Sequence, residues 1–98
     1  MVSYINKTET IGTTSANILP DRTALNEKRT AFIIINTSTG GQIITLAVDA
    51  EAVANAGIVL NPGGSWSEPS GANLPPNKRI AAISSAAGGT LGVYEEAQ

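Results

Sequence analysis

This chain of 98 residues contains no cysteine and no histidine. Without cysteine it cannot form disulfides, so its stability depends on no oxidising compartment. The usual nucleophile–base pairs of covalent catalysis require histidine or cysteine, and zinc and most transition metals take the same residues as ligands. The sequence therefore predicts a protein that is not an enzyme and that carries neither a transition metal nor another cofactor.

Catalysis or metal binding would have to rest on carboxylates. Two carboxylates suffice for a glycosidase, but the candidates stand in no recognisable catalytic context: Asp21, Glu27, Asp49, Glu51, Glu68, Glu95 and Glu96. Asp49 and Glu51 could touch calcium, yet the sequence around them lacks the further oxygen ligands of a calcium loop. The glycine pairs at 63–64 and 88–89 precede no helix, so they are interpreted as turn residues rather than phosphate-binding loops.

Positive charge is also scarce, with six Lys and Arg against eight Asp and Glu, a net charge of −2. Nucleic-acid-binding domains usually present a basic patch, whereas the two small basic clusters here are interrupted by acidic or neutral residues. These clusters are Arg22, Lys28 and Arg29, and Lys78 and Arg79. Solvated loop charges are the simpler interpretation, and we expect no nucleic-acid partner.

Long apolar runs are missing as well. No run approaches the roughly 20 residues of a membrane-spanning helix, and the first residues contain no apolar signal-peptide region. The sequence therefore predicts synthesis in the cytoplasm and no contact with a membrane.

Aromatic residues make up only 4% of the chain, and much of the 42% hydrophobic content is alanine. A domain of this size buries only about 60 to 65% of the surface of its unfolded chain. We therefore expect oligomerisation or docking on a partner to supply part of the stability; the alternative is a modestly stable monomer.

The most informative segment is residues 29–38. Its apolar run from Ala31 to Ile35 is rich in β-branched residues and ends in turn-forming residues, which predicts a strand. Phe32 and Ile34 would point to one face, and Ala31, Ile33 and Ile35 to the other. Because both faces are apolar, the strand needs cover on both sides, from the rest of the fold or from a neighbouring subunit.

Further short strands are predicted on both sides of this segment. A turn at 37–41 leads to 42–48, which we expect to pair with 29–36 as a hairpin. The other strands are predicted at 8–11, 16–19, 58–60, 65–68, 80–84 and 90–95, and residues 49–57 are predicted to form a compact loop with one helical turn. The pattern predicts an all-β fold: a single domain over 1–98, a small β-sandwich or barrel of the jelly-roll or immunoglobulin-like kind. It would have seven to eight antiparallel strands, with an extended N-terminal arm at 1–15 and a core at 16–95.

Four blocks of the sequence carry strand and turn motifs in a characteristic order. They are Ile18-Leu19-Pro20, residues 29–38 with an Arg before an apolar strand that ends in Asn-Thr-Ser, residues 57–66 with Gly-Ile-Val-Leu-Asn-Pro-Gly-Gly-Ser, and residues 80–95 with Ala-Gly-Gly-Thr-Leu-Gly-Val. Together they resemble a family of small virion proteins encoded among the head and tail genes of tailed phages. Residues 49–56 depart from the family pattern in forming a longer, alanine-rich loop.

The resemblance implies a virion protein without catalytic residues. The short length favours a capsid decoration (cement) protein that binds the major capsid protein on the phage head as a homo-oligomer, a dimer or a trimer. The alternative is a head-fibre or tail module that recognises host glycans through Trp66 and the loop at 69–77, although the simpler interpretation of Trp66 is that it fills a thin, alanine-rich core. The candidate interface residues are Tyr4, Ile5, Arg22, Lys28, Arg29, Trp66, Lys78 and Arg79.

Overall fold

The computed structural model describes residues 3–22, 28–68 and 77–97, and this part of the chain contains eight β-strands and no helix. No element in these ranges is therefore a helix long and apolar enough to cross a membrane. The strands are β1 (Ser3–Ile11), β2 (Ala16–Leu19), β3 (Arg29–Asn36), β4 (Ile44–Val48), β5 (Ile58–Leu60), β6 (Ser65–Glu68), β7 (Ile80–Ser84) and β8 (Gly89–Ala97).

The strands form two four-stranded antiparallel sheets, one in the order β1-β8-β3-β6 and the other in the order β2-β7-β4-β5. We call them the first and the second sheet. The predicted all-β sandwich is confirmed, and a closed barrel is excluded by the two separate sheets. The predicted positions of β2, β5, β6 and β7 agree with the structure.

The core lies between the sheets and is built by alternation along each strand. Phe32 and Ile34 of β3 point inward and are fully buried, while Ile44 and Leu46 of β4 and Ile80 of β7 meet them from the second sheet. Burial of each such side chain contributes roughly 1.5 to 3 kcal/mol. The inward face of β3 is therefore covered as the sequence predicts.

The predicted hairpin of β3 and β4 is wrong, because the two strands lie in different sheets. Both edges of β3 are occupied, by β8 on one side and β6 on the other. The buried Asn36 holds the chain where it crosses between the sheets: its Nδ2 donates to the carbonyl oxygens of Gln42 and Leu60, each at 2.9 Å. An apolar run and a turn predict a strand and its end, but not which strand becomes its neighbour.

The N-terminal segment is not an extended arm. All nine residues of β1 pair with β8, from Ser3 opposite Ala97 to Ile11 opposite Gly89, so β1 is an edge strand of the first sheet. Lys7 and Glu9 lie on the side of β1 that faces the second sheet and form an ion pair of 2.8 Å. The only part of this strand predicted from the sequence was residues 8–11, because polar residues interrupt its alternation.

The predicted helical turn within 49–57 is also absent. Asp49 and Asn55 have φ of 56° and 61°, in the left-handed region, and a bridge joins Val53 to Ala56. An N-cap residue normally takes extended φ/ψ angles, so Asp49 does not begin a helix. The chain reverses direction in this loop through residues with left-handed φ angles rather than through a helical turn.

Candidate functional site

An ion cluster closes one end of the sandwich. Arg29 at the start of β3 is fully buried, and its Nε donates to Oε2 of Glu95 on β8 at 2.7 Å; Glu95 is 1% exposed. Arg22 donates from Nη2 and Nε to Oε1 of the same carboxylate, at 2.6 and 3.2 Å. Two guanidinium groups therefore share one carboxylate.

The same cluster joins the first sheet to the segments that flank β2 and β7. Arg29 Nη2 donates to the carbonyl oxygen of Pro20 at 2.7 Å, and Nη1 donates to that of Lys78 at 3.0 Å. The backbone N–H of Arg29 donates to Oδ1 of Asn77 at 2.8 Å. Arg29 thus satisfies carbonyl groups that no strand pairing reaches, and its role is to hold the fold together.

The charge of Glu95 is maintained by these contacts. Burial alone would raise its pKa, but the hydrogen bonds from Arg22 and Arg29, together with their positive charges, hold the pKa below its usual value. The carboxylate is therefore committed to the two arginines and is not a general acid.

The structure gathers most of the predicted basic residues at this end of the sandwich, but it uses them internally. Arg29 was predicted to be an interface residue; this prediction is wrong, because its side chain is fully buried. Arg79 donates from Nη1 to Oδ1 of Asn17 at 2.7 Å and lies 3.9 Å from Glu51. Lys78 is exposed and Lys28 is half-buried. Acidic and amide partners alternate with these cations, which is unlike an anion-binding patch.

Trp66 is turned toward the core. Its ring meets that of Phe32 edge-on, with centroids 4.7 Å apart and planes at 79°, and it lies opposite Ile34 in the pairing of β6 with β3. The side chain is half-buried and packs against the core cluster. The loop predicted to bind glycan with it lies, except for Asn77, outside the described residues. Core packing, the simpler of the two interpretations of Trp66, agrees with this position.

A different surface carries the exposed apolar residues: the outer face of the first sheet, which points away from the second sheet. Tyr4 is 61% exposed, Ile33 42% and Ile35 39%. Tyr94 lies beside Tyr4, with ring centroids 6.4 Å apart and the rings stacked. The sequence predicted that β3 needs cover on both faces, and this face has none within the described part of the chain. Ile5, on the same strand as Tyr4, points to the opposite side and is half-buried.

The register places the outer-face residues in rows across the strands. Ile33 lies between Tyr94 of β8 and Ser67 of β6, and Ile35 lies between Gly92 and Ser65. The remaining outer-face residues of β1 and β8 are Asn6, Thr8, Thr10, Thr90 and Glu96. Among the described residues that point outward from this face, Glu96 is the one with a charged side chain, and it lies near one end of the face.

A groove of about 160 Å³ opens on this face between β3 and β6. It is lined by Ala31, Phe32, Ile33, Ser67, Glu68 and Tyr94. Partial burial in the sheet face, and to a smaller extent proximity to Glu96, raise the pKa of Tyr94 further above the range in which a tyrosine is already neutral at pH 7. The described residues contain no group of three or more carboxylates that could hold a metal ion.

Sequence reasoning named Tyr4 but missed Tyr94, Ile33 and Ile35 as surface residues. Tyr94 follows Val93 in an alternating strand, and the inward position of Val93 implies an outward Tyr94. The pairing of β1 with β8, which brings the two tyrosines together, carries no local sequence signal.

Comparison with known proteins shows the fold and goes no further. No protein-family model matches the sequence, and no curated protein matches it either. Among solved structures, the chain is similar to a protein of Bacillus endospore appendages, described as a novel family of disulfide-linked pili, with a TM-score of 0.62 and 16% sequence identity. The match covers 99% of this chain and 83% of the other. The chain thus shares a β-sandwich architecture with that appendage protein.

Proposed function

We propose that this chain is a structural subunit that works in many copies, without catalysis, and that its outer face makes contacts between proteins. The observation that carries the proposal is the outer face itself, which groups Tyr4, Tyr94, Ile33 and Ile35 on one sheet surface. Among the described residues that point outward from this face, Glu96 near its end carries the charge. Depletion of charge and enrichment of aromatic residues distinguish the centre of a protein interface from ordinary surface.

The similarity to the appendage protein supports this proposal, because that protein forms pili and so assembles with other copies. Its pili are described as disulfide-linked, whereas this chain has no cysteine. An assembly of this chain would therefore be held by non-covalent contacts, and each contact would need enough apolar surface to be stable without a covalent bond.

Within that class, we propose a capsid decoration protein that binds the major capsid protein on the outside of a phage head as a homo-oligomer. The support is the resemblance to small phage virion proteins over residues 18–95, together with the net charge of −2, which disfavours contact with packaged DNA. Glycan recognition through Trp66 gains no support, because that ring packs on Phe32.

The test is electron cryomicroscopy of two samples: the purified chain at high concentration, and phage heads assembled with and without it. Density at regular positions on the head, in hundreds of copies, would establish decoration. Filaments formed by the chain alone would support a subunit of an appendage instead. Absence from every ordered assembly, in both samples, would refute the structural role.

A further inference from the structure

The outer face of the first sheet has a ridge on one half and a groove on the other. Tyr4 of β1 and Tyr94 of β8 stack to form the ridge, at one edge of the sheet. The groove lies between β3 and β6, and Tyr94 of the ridge forms its wall on the β8 side; the other lining residues are Ala31, Phe32, Ile33, Ser67 and Glu68. Tyr94 is level with Ile33 and Ser67, whereas Tyr4 is paired with Glu96 and so is level with Ala31, at the next outward position along the strands.

The size of the groove suits an aromatic ring. Its volume is about 160 Å³, and an apolar cavity of about 150 Å³ in another protein is known to bind benzene. Tyr4 is the most exposed large hydrophobic side chain of the described residues, at 61%. Within one copy, the strands that carry Tyr4 and Ser67 are the two edges of the sheet, so Tyr4 can enter a groove only between copies.

A ridge and a groove on opposite halves of one face meet the requirement of a two-fold interface, in which residue i contacts residue j and residue j contacts residue i. A two-fold axis that runs along the strands, midway between β8 and β3, places β1 over the partner's β6 and β8 over the partner's β3. Glu96 then faces the level of Ala31, its neighbour in register, so the two Glu96 carboxylates of the dimer do not face each other.

The area of the face agrees with a weak but specific dimer. Four strands about 4.8 Å apart, the longest about 30 Å long, give roughly 500 to 600 Å² per copy. The total of roughly 1,000 to 1,200 Å² is at the lower end of specific interfaces. Isoleucine and tyrosine lie at its centre, where the residues that contribute most of the binding free energy of an interface are usually found.

We propose that two copies of this chain pair through the outer faces of their first sheets, with the Tyr4–Tyr94 ridge of each copy seated in the groove of the other. The inference rests on the proposed function in taking a second copy as the partner. It adds the surface, the symmetry and the residues that meet.

The first experiment measures the mass of the purified chain by sedimentation equilibrium from about 1 μM to about 1 mM, the range of weak to moderate protein affinities. The wild type is expected to convert from monomer to dimer within this range. Ile33→Glu places a charge at the centre of the face and is expected to remain monomeric, as is Tyr4→Glu at the more exposed edge strand, which keeps the test valid if Ile33→Glu fails to fold.

Val59→Glu is the matched control. Val59 is 41% exposed, almost the same as Ile33, but it lies on β5 of the second sheet. This variant is expected to dimerise as the wild type does. A monomeric wild type at the highest concentration, a dimeric Tyr4→Glu variant, or a monomeric and folded Val59→Glu variant would each overturn the proposal.

A mixing experiment separates a seated ridge from general apolar stacking. Tyr4→Ser removes the more exposed ring of the ridge and leaves the groove, whereas Ser67→Trp fills the groove and leaves the ridge. In a homodimer neither variant can seat Tyr4 in a groove, but a mixed dimer can seat one. The mixed dimer is expected to exceed both homodimers, and a purely statistical mixture would refute the seating. A negative result in either experiment would refute this dimer but not the proposed role as a structural subunit, because that role is tested separately by electron cryomicroscopy of phage heads and of the purified chain.

Discussion

Replacement of Glu95 by glutamine is expected to destabilise the protein more than any other isosteric substitution on β8. The substitution keeps the shape of the side chain but removes the charge shared by Arg22 and Arg29. Arg29 is fully buried, so its guanidinium would lose its counter-charge without gaining water. Loss of one partner from a buried ion pair costs about 3 to 5 kcal/mol. A domain of this length has about 5 to 15 kcal/mol of total stability, so the variant would fold but with a small margin.

The assay is urea denaturation at pH 7, followed by far-ultraviolet circular dichroism, with Glu96→Gln as the matched control. Glu96 is the next residue on the same strand, points to the outer face and accepts a long contact of 3.4 Å from the Tyr94 hydroxyl. Its replacement is expected to change the free energy of unfolding by about 0.5 kcal/mol or less. Equal losses from the two substitutions would refute the claim that the cluster holds the end of the sandwich.

The pH dependence of the wild type provides a second measure of the same cluster. The pKa of Glu95 in the folded state lies below its ordinary value of 4.5. The charged cluster therefore contributes its full stability above about pH 4.5, and this contribution is lost as the pH falls through the folded-state pKa. Below pH 4.5 the free energy of unfolding should fall more steeply for the wild type than for Glu95→Gln. Parallel pH profiles would contradict the assignment.

Three further substitutions test the core and the crossing between sheets. Ile34→Ala removes a fully buried side chain and is expected to cost about 2 to 5 kcal/mol through cavity formation; an unchanged melting temperature would show that Ile34 is not in the core. Asn36→Ala leaves the carbonyl groups of Gln42 and Leu60 without their donor and is expected to cost about 1 to 3 kcal/mol in urea denaturation, whereas a value near zero would mean that the amide does not hold the crossing. Trp66→Ala is expected to lose about 3 kcal/mol with no change in binding on a glycan array, and weaker glycan binding with unchanged stability would reverse this interpretation.

The strands could be predicted because their residues carry local signals. The apolar run of β3, the proline after β2 and the glycine pair at the start of β8 each mark a boundary, and together they indicate a β-sandwich. The pairing of β3 could not be predicted in the same way. It depends on Asn36, whose buried hydrogen bonds to distant carbonyl groups direct the chain into the other sheet, and an asparagine before a turn has the same sequence signature in a hairpin.

The ion cluster was partly visible in the sequence. In the strand predicted at 90–95, Leu91 and Val93 alternate with other residues, and the same alternation places Glu95 on their side of the strand. A buried carboxylate needs a cation, and Arg29, two residues before the apolar run, was available. Assigning Arg29 to an interface overlooked this pairing. The ridge of Tyr4 and Tyr94 had no comparable signal, because it arises from the register between strands at the two ends of the sequence.

That register has a consequence for how the protein folds. Ser3 and Ala97 are neighbours in the first sheet although 94 positions separate them along the chain. During synthesis β1 has no partner until β8 has been made, so the sheet cannot close progressively from the N-terminus. Folding should therefore be slow, because the pairing with the greatest loop-closure cost must form before the sheet is complete. Lys7 and Glu9 therefore have a role during folding. Their charges on the inward side of β1 disfavour pairing of this strand with other nascent chains before β8 has been synthesised.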